Sequence, residues 1–308
     1  MKATILTGDV LARIQEIPDQ TVQCVVTSPP YWGLRDYGQE GQLGLEPTPQ
    51  AYVENMVAVF RQVRRILKDD GVLWLNLGDS YNGSGGAGGD YSPGGLKHGQ
   101  PKYPGRKVSD LKPKDLVGIP WRVAFALQTD GWWLRQDIIW HKPNPMPESV
   151  ADRCTKAHEY VFMLTKSSHY YFDNEAIKEP ANEAGKIGDT FAGRQGTATY
   201  QTKSGGTGSP GKNYETRNKR SVWTINTKPF KGAHFAVMPE ALCEPPILAT
   251  SRPNDIVFDP FTGSGTVATV ALRHGRNYLG IELNPDYIQI AINRIQNDQP
   301  MLNETEIA

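Results

Sequence analysis

Phe258-Asp259-Pro260-Phe261-Thr262-Gly263-Ser264-Gly265-Thr266 is the stretch on which the fold turns. Ile256, Val257 and Phe258 lead into it as a short apolar run that reads as a strand, and residues 267–274 leave it with helical spacing. Residues 277–281 form a second strand ending at Glu282, and residues 286–296 a further helix. Strand, glycine-bearing loop, helix and strand in that order imply parallel strands joined by a crossover helix. The same alternation appears nearer the N-terminus. Residues 3–6 read as a strand ending at Thr7-Gly8-Asp9, residues 10–17 have helical spacing, and the β-branched run 22–27 is a buried strand. Residues 50–67 place Tyr52, Met56, Val59, Phe60, Val63 and Leu67 on one helix face, and residues 72–77 are again a strand. A helix is predicted over 116–129. Residues 133–140 and 160–164 read as strands of one pair, separated by the proline-rich stretch 142–148. The class is α/β, a mostly parallel sheet with helices on both faces.

The loop at 259–266 also has a chemistry. Its glycines let backbone approach a ligand closely, and an acid ending the next strand, here Glu282, lies about 20 residues downstream, where a ribose hydroxyl would be bound. Neither G-x-G-x-x-G nor G-K-[ST] is present, which argues against a dinucleotide or phosphate cradle. Asp259 suits a cationic amino group, such as the methionyl ammonium of S-adenosylmethionine, and Phe261 offers an apolar wall. An ordinary tight turn is the alternative for the loop alone.

Thr27-Ser28-Pro29-Pro30-Tyr31-Trp32 ends another strand, since two prolines cannot continue a central one. Open α/β sheets bind ligands at that end. An exocyclic amine on a nucleobase is a poor nucleophile because its lone pair is conjugated into the ring. The Ser28 oxygen and the Pro29 carbonyl can accept its two hydrogens and favour pyramidal nitrogen. Tyr31 offers a flat face to a base swung out of a duplex.

Together, Ser28-Pro29-Pro30-Tyr31 and Asp259-Pro260-Phe261-Thr262-Gly263-Ser264-Gly265-Thr266 resemble the amino-methyltransferases of DNA, in the permuted order called the β class, with the catalytic half first. Gly8-Asp9, Gly71-Val72-Leu73, Trp140-His141-Lys142-Pro143-Asn144, His158-Glu159-Tyr160, His234-Phe235-Ala236-Val237-Met238-Pro239 and Leu279-Gly280-Ile281-Glu282 extend the likeness over most of the chain. The resemblance implies a Rossmann-like methyltransferase sheet and S-adenosylmethionine as cofactor. It implies that Asp9 lies near the cofactor's adenine, and that Asp259, Phe261, Gly263, Ser264, Gly265, Thr266, Glu282 and Asn284 hold the cofactor. His234, Phe235, Pro239 and Leu242 would close over its methionyl end. Serine rather than Asp or Asn at position 28 is associated in this family mainly with cytosine N4 chemistry. Neutral Ser28 is no strong base, so direct methyl transfer with later loss of the proton is expected. Methylation of carbon 5 of cytosine would need a nucleophilic thiolate, and no Pro-Cys dipeptide occurs.

The organisation that follows is a catalytic half at 1–77, a glycine-rich insert at 78–110, continued methyltransferase domain at 111–166, a loop-rich target-recognition region at 167–231, a cofactor half at 232–298 and a tail at 299–308. The formal net charge of +0 does not advertise nucleic-acid binding, but a binding face needs only local positive charge. Lys203, Lys212, Arg217, Lys219 and Arg220 crowd one polar stretch with Tyr170, Tyr171, Tyr200, Tyr214 and Trp223 close by in sequence, and are the candidate DNA contacts. No apolar run reaches the roughly 18–20 residues of a membrane span, and no signal peptide opens the chain, so a cytoplasmic location is expected. Cys24, Cys154 and Cys243 are widely spaced and read as packing residues, as do Trp132, Trp133 and Trp140; His141 and His158 read as hydrogen-bonding residues, and no metal is expected. Double-stranded DNA is the expected partner, with a partner restriction endonuclease and a homodimer left open. N6-adenine methylation, an RNA or protein-amide substrate, and a non-catalytic DNA-binding protein are the alternatives.

Overall fold

The computed structural model describes residues 1–83, 110–181, 215–227, 237–298 and 304–307. Strand β1 (Lys2–Thr7) leads into the short helix α1 (Val10–Arg13), capped by Asp9, whose Oδ1 accepts from the Ala12 N–H at 3.0 Å. Strand β2 (Val22–Thr27) is buried throughout, as a β-branched run between two other strands must be. Helix α2 (Pro49–Ile66) starts at Thr48, whose hydroxyl accepts from the Ala51 N–H at 3.1 Å, and Pro49 takes the first turn, where no donor is needed. Its predicted apolar face is buried.

Strand β3 (Leu67–Leu77) begins earlier than its apolar run, because residues 67–71 continue extended beside β2 through an irregularity between Val22 and Cys24. Helix α3 (Ile119–Thr129) starts after Gly118, later than the spacing suggested. Strands β4 (Trp133–His141) and β5 (His158–Thr165) pair as expected, and run antiparallel. Strands β6 (Glu179–Pro180) and β7 (Thr216–Arg217) form a small ribbon, and β8 (Val222–Thr224) joins the main sheet beside β4. Helix α4 (Glu240–Thr250) follows; Pro245 and Pro246 lie inside it and hid it from a reading by pattern. The chain closes with β9 (Ile256–Asp259), α5 (Thr266–Arg273), β10 (Asn277–Glu282), α6 (Pro285–Asp298) and β11 (Glu304–Ile307).

Among the described residues the main sheet runs β11-β1-β10-β9-β2-β3-β5-β4-β8, and only β5 opposes its neighbours. Side chains alternate between two cores. Leu73, Leu75 and Leu77 pack with α1, α2 and α3 on one face, while Val72 and Trp74 pack with α4, α5 and α6 on the other. This is the expected doubly covered sheet. No helix among the described residues is long and apolar enough to cross a membrane.

Four details differ from the sequence reading. The stretch read as a tail contributes a strand, since residues 304–307 pair with β1. Trp223, placed with the target-recognition region, sits in β8 at 5% exposure against Trp74, with ring centroids 6.2 Å apart. Trp133 is 49% exposed, because β8 covers only the far end of β4, from Ile139 to His141. Cys154 is exposed in the loop between β4 and β5, whereas Cys24 and Cys243 are buried.

Gly265 turns the chain into α5 with φ +75°, and a Cβ there would stand 2.9 Å from Ala291 Cβ on α6. Gly265→Ala is expected to lower unfolding free energy by at least about 1 kcal/mol, through left-handed strain and the clash together. The shift of a urea midpoint measures it.

Candidate active site

The sheet brings one set of ends together on one rim. β2 lies between β9 and β3, with Val25 opposite both Phe258 and Leu73, so the loops after Thr27, Asp259 and Leu77 leave side by side. Thr7 is opposite Glu282, and Gly8 N–H donates to the Glu282 carbonyl at 2.9 Å, which adds the loops after β1 and β10. Because β5 runs the other way, its first residues, His158 and Glu159, arrive at the same rim. These loops enclose a cleft of about 790 Å³.

One wall is the predicted cofactor loop. Asp259 is 3% exposed, and its Oδ1 accepts from the Thr27 hydroxyl at 2.7 Å and the Phe261 N–H at 3.0 Å. Oδ2 has no partner among the described residues and is left to the cleft that Asp259 lines. Burial pushes the Asp259 carboxyl up to about 7, against the two hydrogen bonds, with the nearby Glu282 adding to the rise. Glu282 is also buried and pushed up by it, though its oxygens accept from Gly263 N–H at 2.7 Å and Asn284 N–H at 2.8 Å. Neither carboxylate has an ion-pair partner among the described residues. Phe261, Ile281, Val237 and Met238 supply apolar lining. Two buried acids without a cation, beside an apolar wall, fit a positively charged ligand that also carries ribose hydroxyls.

Asp9, Ser264, Thr266 and Asn284 line the cleft. Asp9 spends one oxygen on capping α1, and Thr266 Oγ1 accepts from Arg294 at 2.7 Å. Gly265 is a packing residue instead, because its place at the start of α5 faces α6 rather than the cleft. Pro239 and Leu242 do not reach the cleft either. Pro239 begins α4, and Leu242, 1% exposed, points into the core, so Val237 and Met238 are the lining residues of that segment. His234 and Phe235 lie outside the described residues.

The opposite wall is Ser28-Pro29-Pro30-Tyr31. The loop is pinned by the Tyr52 hydroxyl on the Pro30 carbonyl at 2.9 Å, Trp32 Nε1 on the Glu46 carbonyl at 3.0 Å and Gly33 N–H on the Gly44 carbonyl at 2.8 Å. No donor among the described residues reaches the Pro29 carbonyl. The Ser28 hydroxyl donates to Tyr31 Oη at 3.2 Å, so its proton is engaged and its lone pairs remain. Tyr31 in turn donates toward Glu159 Oε2 at 2.9 Å, with Asn76 Oδ1 at 3.0 Å. Burial and the Glu159 charge hold the Tyr31 phenol well above its usual range, hence neutral. Its ring is seated against Gly78, where a Cβ would come within 2.5 Å of it.

Asn76, Glu159 and Lys142 carry no role in the sequence reading. The signals were present: Asn76 is a polar residue inside an apolar strand, and Lys142 and Glu159 lie in the two segments that the resemblance quotes. Asn76 Nδ2 donates to Glu159 Oε2 at 3.2 Å and to the Tyr160 carbonyl at 3.0 Å, and Lys142 pairs with Glu159 Oε1. Lys142 also lies over the Trp140 ring at 4.2 Å.

None of the described candidate DNA contacts lines the cleft. Arg217 and Arg220 both donate to Glu179 Oε1, at 2.9 and 2.6 Å, on the β6–β7 ribbon, and Lys219 lies over the Trp223 ring at 5.3 Å. Lys203 and Lys212 fall outside the described residues. Among the described residues, the cations that line the cleft are Arg35, Lys142 and Lys156. His141 bonds Thr224 Oγ1 through Nδ1 at 3.2 Å, while His158 stands edge-on to Tyr160.

A Rossmann-like sheet with an adenosyl-type acid pair facing a Ser-Pro-Pro-Tyr loop across one cleft defines a methyltransferase that uses S-adenosylmethionine. A family model described as DNA methylase matches residues 22–293. The Type II methyltransferase M.Cfr9I of Citrobacter freundii is 48% identical, over 96% of this chain and 88% of its own length. TTHA0409 of Thermus thermophilus, complexed with S-adenosyl-L-methionine, aligns with 99% of both chains at TM-score 0.61 and 24% identity. The cytosine-N4-specific PvuII DNA methyltransferase aligns with 99% of this chain and 96% of its own at TM-score 0.64 and 19% identity. The chain belongs to the N6/N4 DNA methylase family and is an S-adenosylmethionine-dependent DNA methyltransferase.

Thr27→Val keeps the shape of β2 and removes a donor from a buried carboxylate. Unfolding free energy is expected to drop by about 1–3 kcal/mol at pH 8. Denaturant titration of the two proteins checks it.

Proposed function

We propose that this enzyme methylates the exocyclic N4 amino group of cytosine in double-stranded DNA, with the target base turned out of the helix. The observation that carries the reading is the state of the Ser28 hydroxyl. Its proton is held by Tyr31, so Oγ faces an incoming amine as an acceptor, beside a Pro29 carbonyl that no donor among the described residues reaches. Two acceptors on two amine hydrogens draw the nitrogen lone pair out of conjugation. A neutral serine in that place, where the family's adenine chemistry is associated with Asp or Asn, supports cytosine as the base. An amino group inside a stacked duplex cannot reach the floor of a cleft, which supports extrusion of the base.

The cofactor would be held by Asp259 at its ammonium, Glu282 at its ribose, and Phe261 with Val237 and Met238 at its apolar surface. When bound, S-adenosylmethionine would supply an electrophilic methyl group to the amine, whose nitrogen would then have one proton to lose. Ser28 and Pro29 hold the amine in place during that step, and Tyr31, tied down by Asn76 and Glu159, keeps Ser28 turned the right way. The Type II names of the relatives support a setting with a partner restriction endonuclease.

Labelled methyl transfer to duplex DNA, followed by digestion to nucleosides and mass analysis, is expected to yield N4-methylcytosine. Recovery of N6-methyladenine alone would replace cytosine by adenine. Ser28→Ala is expected to lower kcat by about 100-fold or more, as removal of one well-placed polar group does.

The Asp259 role has its own pH signature. The charged carboxylate attracts an ammonium, and with a pKa of about 7 it is half protonated there and more so as pH falls. Below that value binding must first expel the proton, so affinity for S-adenosylmethionine is expected to drop by up to roughly tenfold per pH unit between 7 and 5. Asp259→Asn, which can keep both bonds to Oδ1, should bind weakly and without that slope. Calorimetric titration across the range measures both.

A further inference from the structure

The reaction leaves a proton on nitrogen, and the cleft contains a route for it. Ser28 Oγ, Tyr31 Oη and Glu159 Oε2 stand in series at 3.2 and 2.9 Å, each hydroxyl able to take one proton and give one. The series ends on a carboxylate that Asn76 and Lys142 hold from its other sides. We propose that Glu159 is the terminal proton acceptor of methyl transfer, acting through Tyr31 and Ser28 as a positioning residue. This rests on the amino-methylation reading and adds to it where the proton goes.

The balance is simple. The N–H bond of the methylated amine breaks and its proton joins Ser28 Oγ. The Ser28 proton passes to Tyr31 Oη, and the Tyr31 proton passes to Glu159, whose carboxylate ends neutral. Both hydroxyls finish as they began, and Glu159 later returns its proton to water. The negative charge absent from residue 28 is thereby placed two hydrogen bonds away. Asn76 excludes a reversed arrangement: its Nδ2 faces Glu159 Oε2 and the Tyr160 carbonyl, so its Oδ1 is what remains for Tyr31. Lys142 keeps Glu159 in place from the opposite oxygen, Oε1.

The series also accounts for Gly78 and for the direction of β5. A side chain at residue 78 would displace the Tyr31 ring, and a parallel β5 would put Glu159 at the far end of the sheet.

The test is steady-state transfer of labelled methyl groups from S-adenosylmethionine to duplex DNA by the full chain and its variants. Glu159→Gln is expected to lose about 100-fold or more in kcat, with KM for cofactor and DNA within about threefold. Tyr31→Phe should lose a similar factor, and the double variant no more than the worse single, because both interrupt one route. Glu159→Asp should recover part of the rate. Unchanged far-UV circular dichroism and cofactor binding in Glu159→Gln identify a loss of chemistry rather than of fold. A kcat for Glu159→Gln within threefold of the parent, or multiplicative losses in the double variant, would each overturn the relay. Nucleoside analysis of the parent's product separates the two readings. Methylation at carbon removes both, whereas methylation at nitrogen with an unimpaired Glu159→Gln removes the relay alone.

Discussion

The hydrogen bond from the Thr27 hydroxyl to Asp259 ties together two segments far apart in the chain. It exists because β2 is clamped between β9 and β3, and it fixes the last residue of one strand against the last residue of the other. The two loops that face one another across the cleft leave directly from that contact. Ser28 and Pro29 follow Thr27 directly, and the cofactor loop follows Asp259. Parallel neighbours make this cheap, because all their carboxyl ends face one way and loops leaving them have no choice of rim.

Burial of acids gives the cofactor side its preference. Asp259 and Glu282 are held out of water with hydrogen bonds but no counter-ion among the described residues, and both resist ionisation. Such a pair is costly in the protein alone and is relieved by a ligand bearing positive charge. The catalytic side is arranged in the opposite sense. Its carboxylate, Glu159, is already paired with Lys142, so a neutral serine can face the substrate while charge waits behind a neutral tyrosine. On the proposed function, one wall would attract a cation and the other would tolerate the transient appearance of one.

The sequence was most legible where period and punctuation agree. Both segments of the site, the strands that carry them, and the face of α2 were readable because β-branched runs, paired prolines and 3.6-residue spacing each have one cheap conformation. Helix α4 was not, since Pro245 and Pro246 break the helical pattern, and β8 was not, since three residues carry no period. Gly265 and Leu242 were assigned to the ligand by position in a motif, and packing against α6 and the core gives them other work.

The amino-acid sequence by itself determined the layered class and the two loops that leave neighbouring strand ends, because these depend on local propensity and on the punctuation of strands by proline and glycine. Only the tertiary structure decided that Glu159, Asn76 and Lys142 stand behind Tyr31, and that Arg217 and Arg220 are spent on Glu179. The reason is strand direction and register. A residue on β5 reaches the rim because that strand runs against its neighbours, and pairing between strands more than eighty residues apart leaves no trace in either segment read alone.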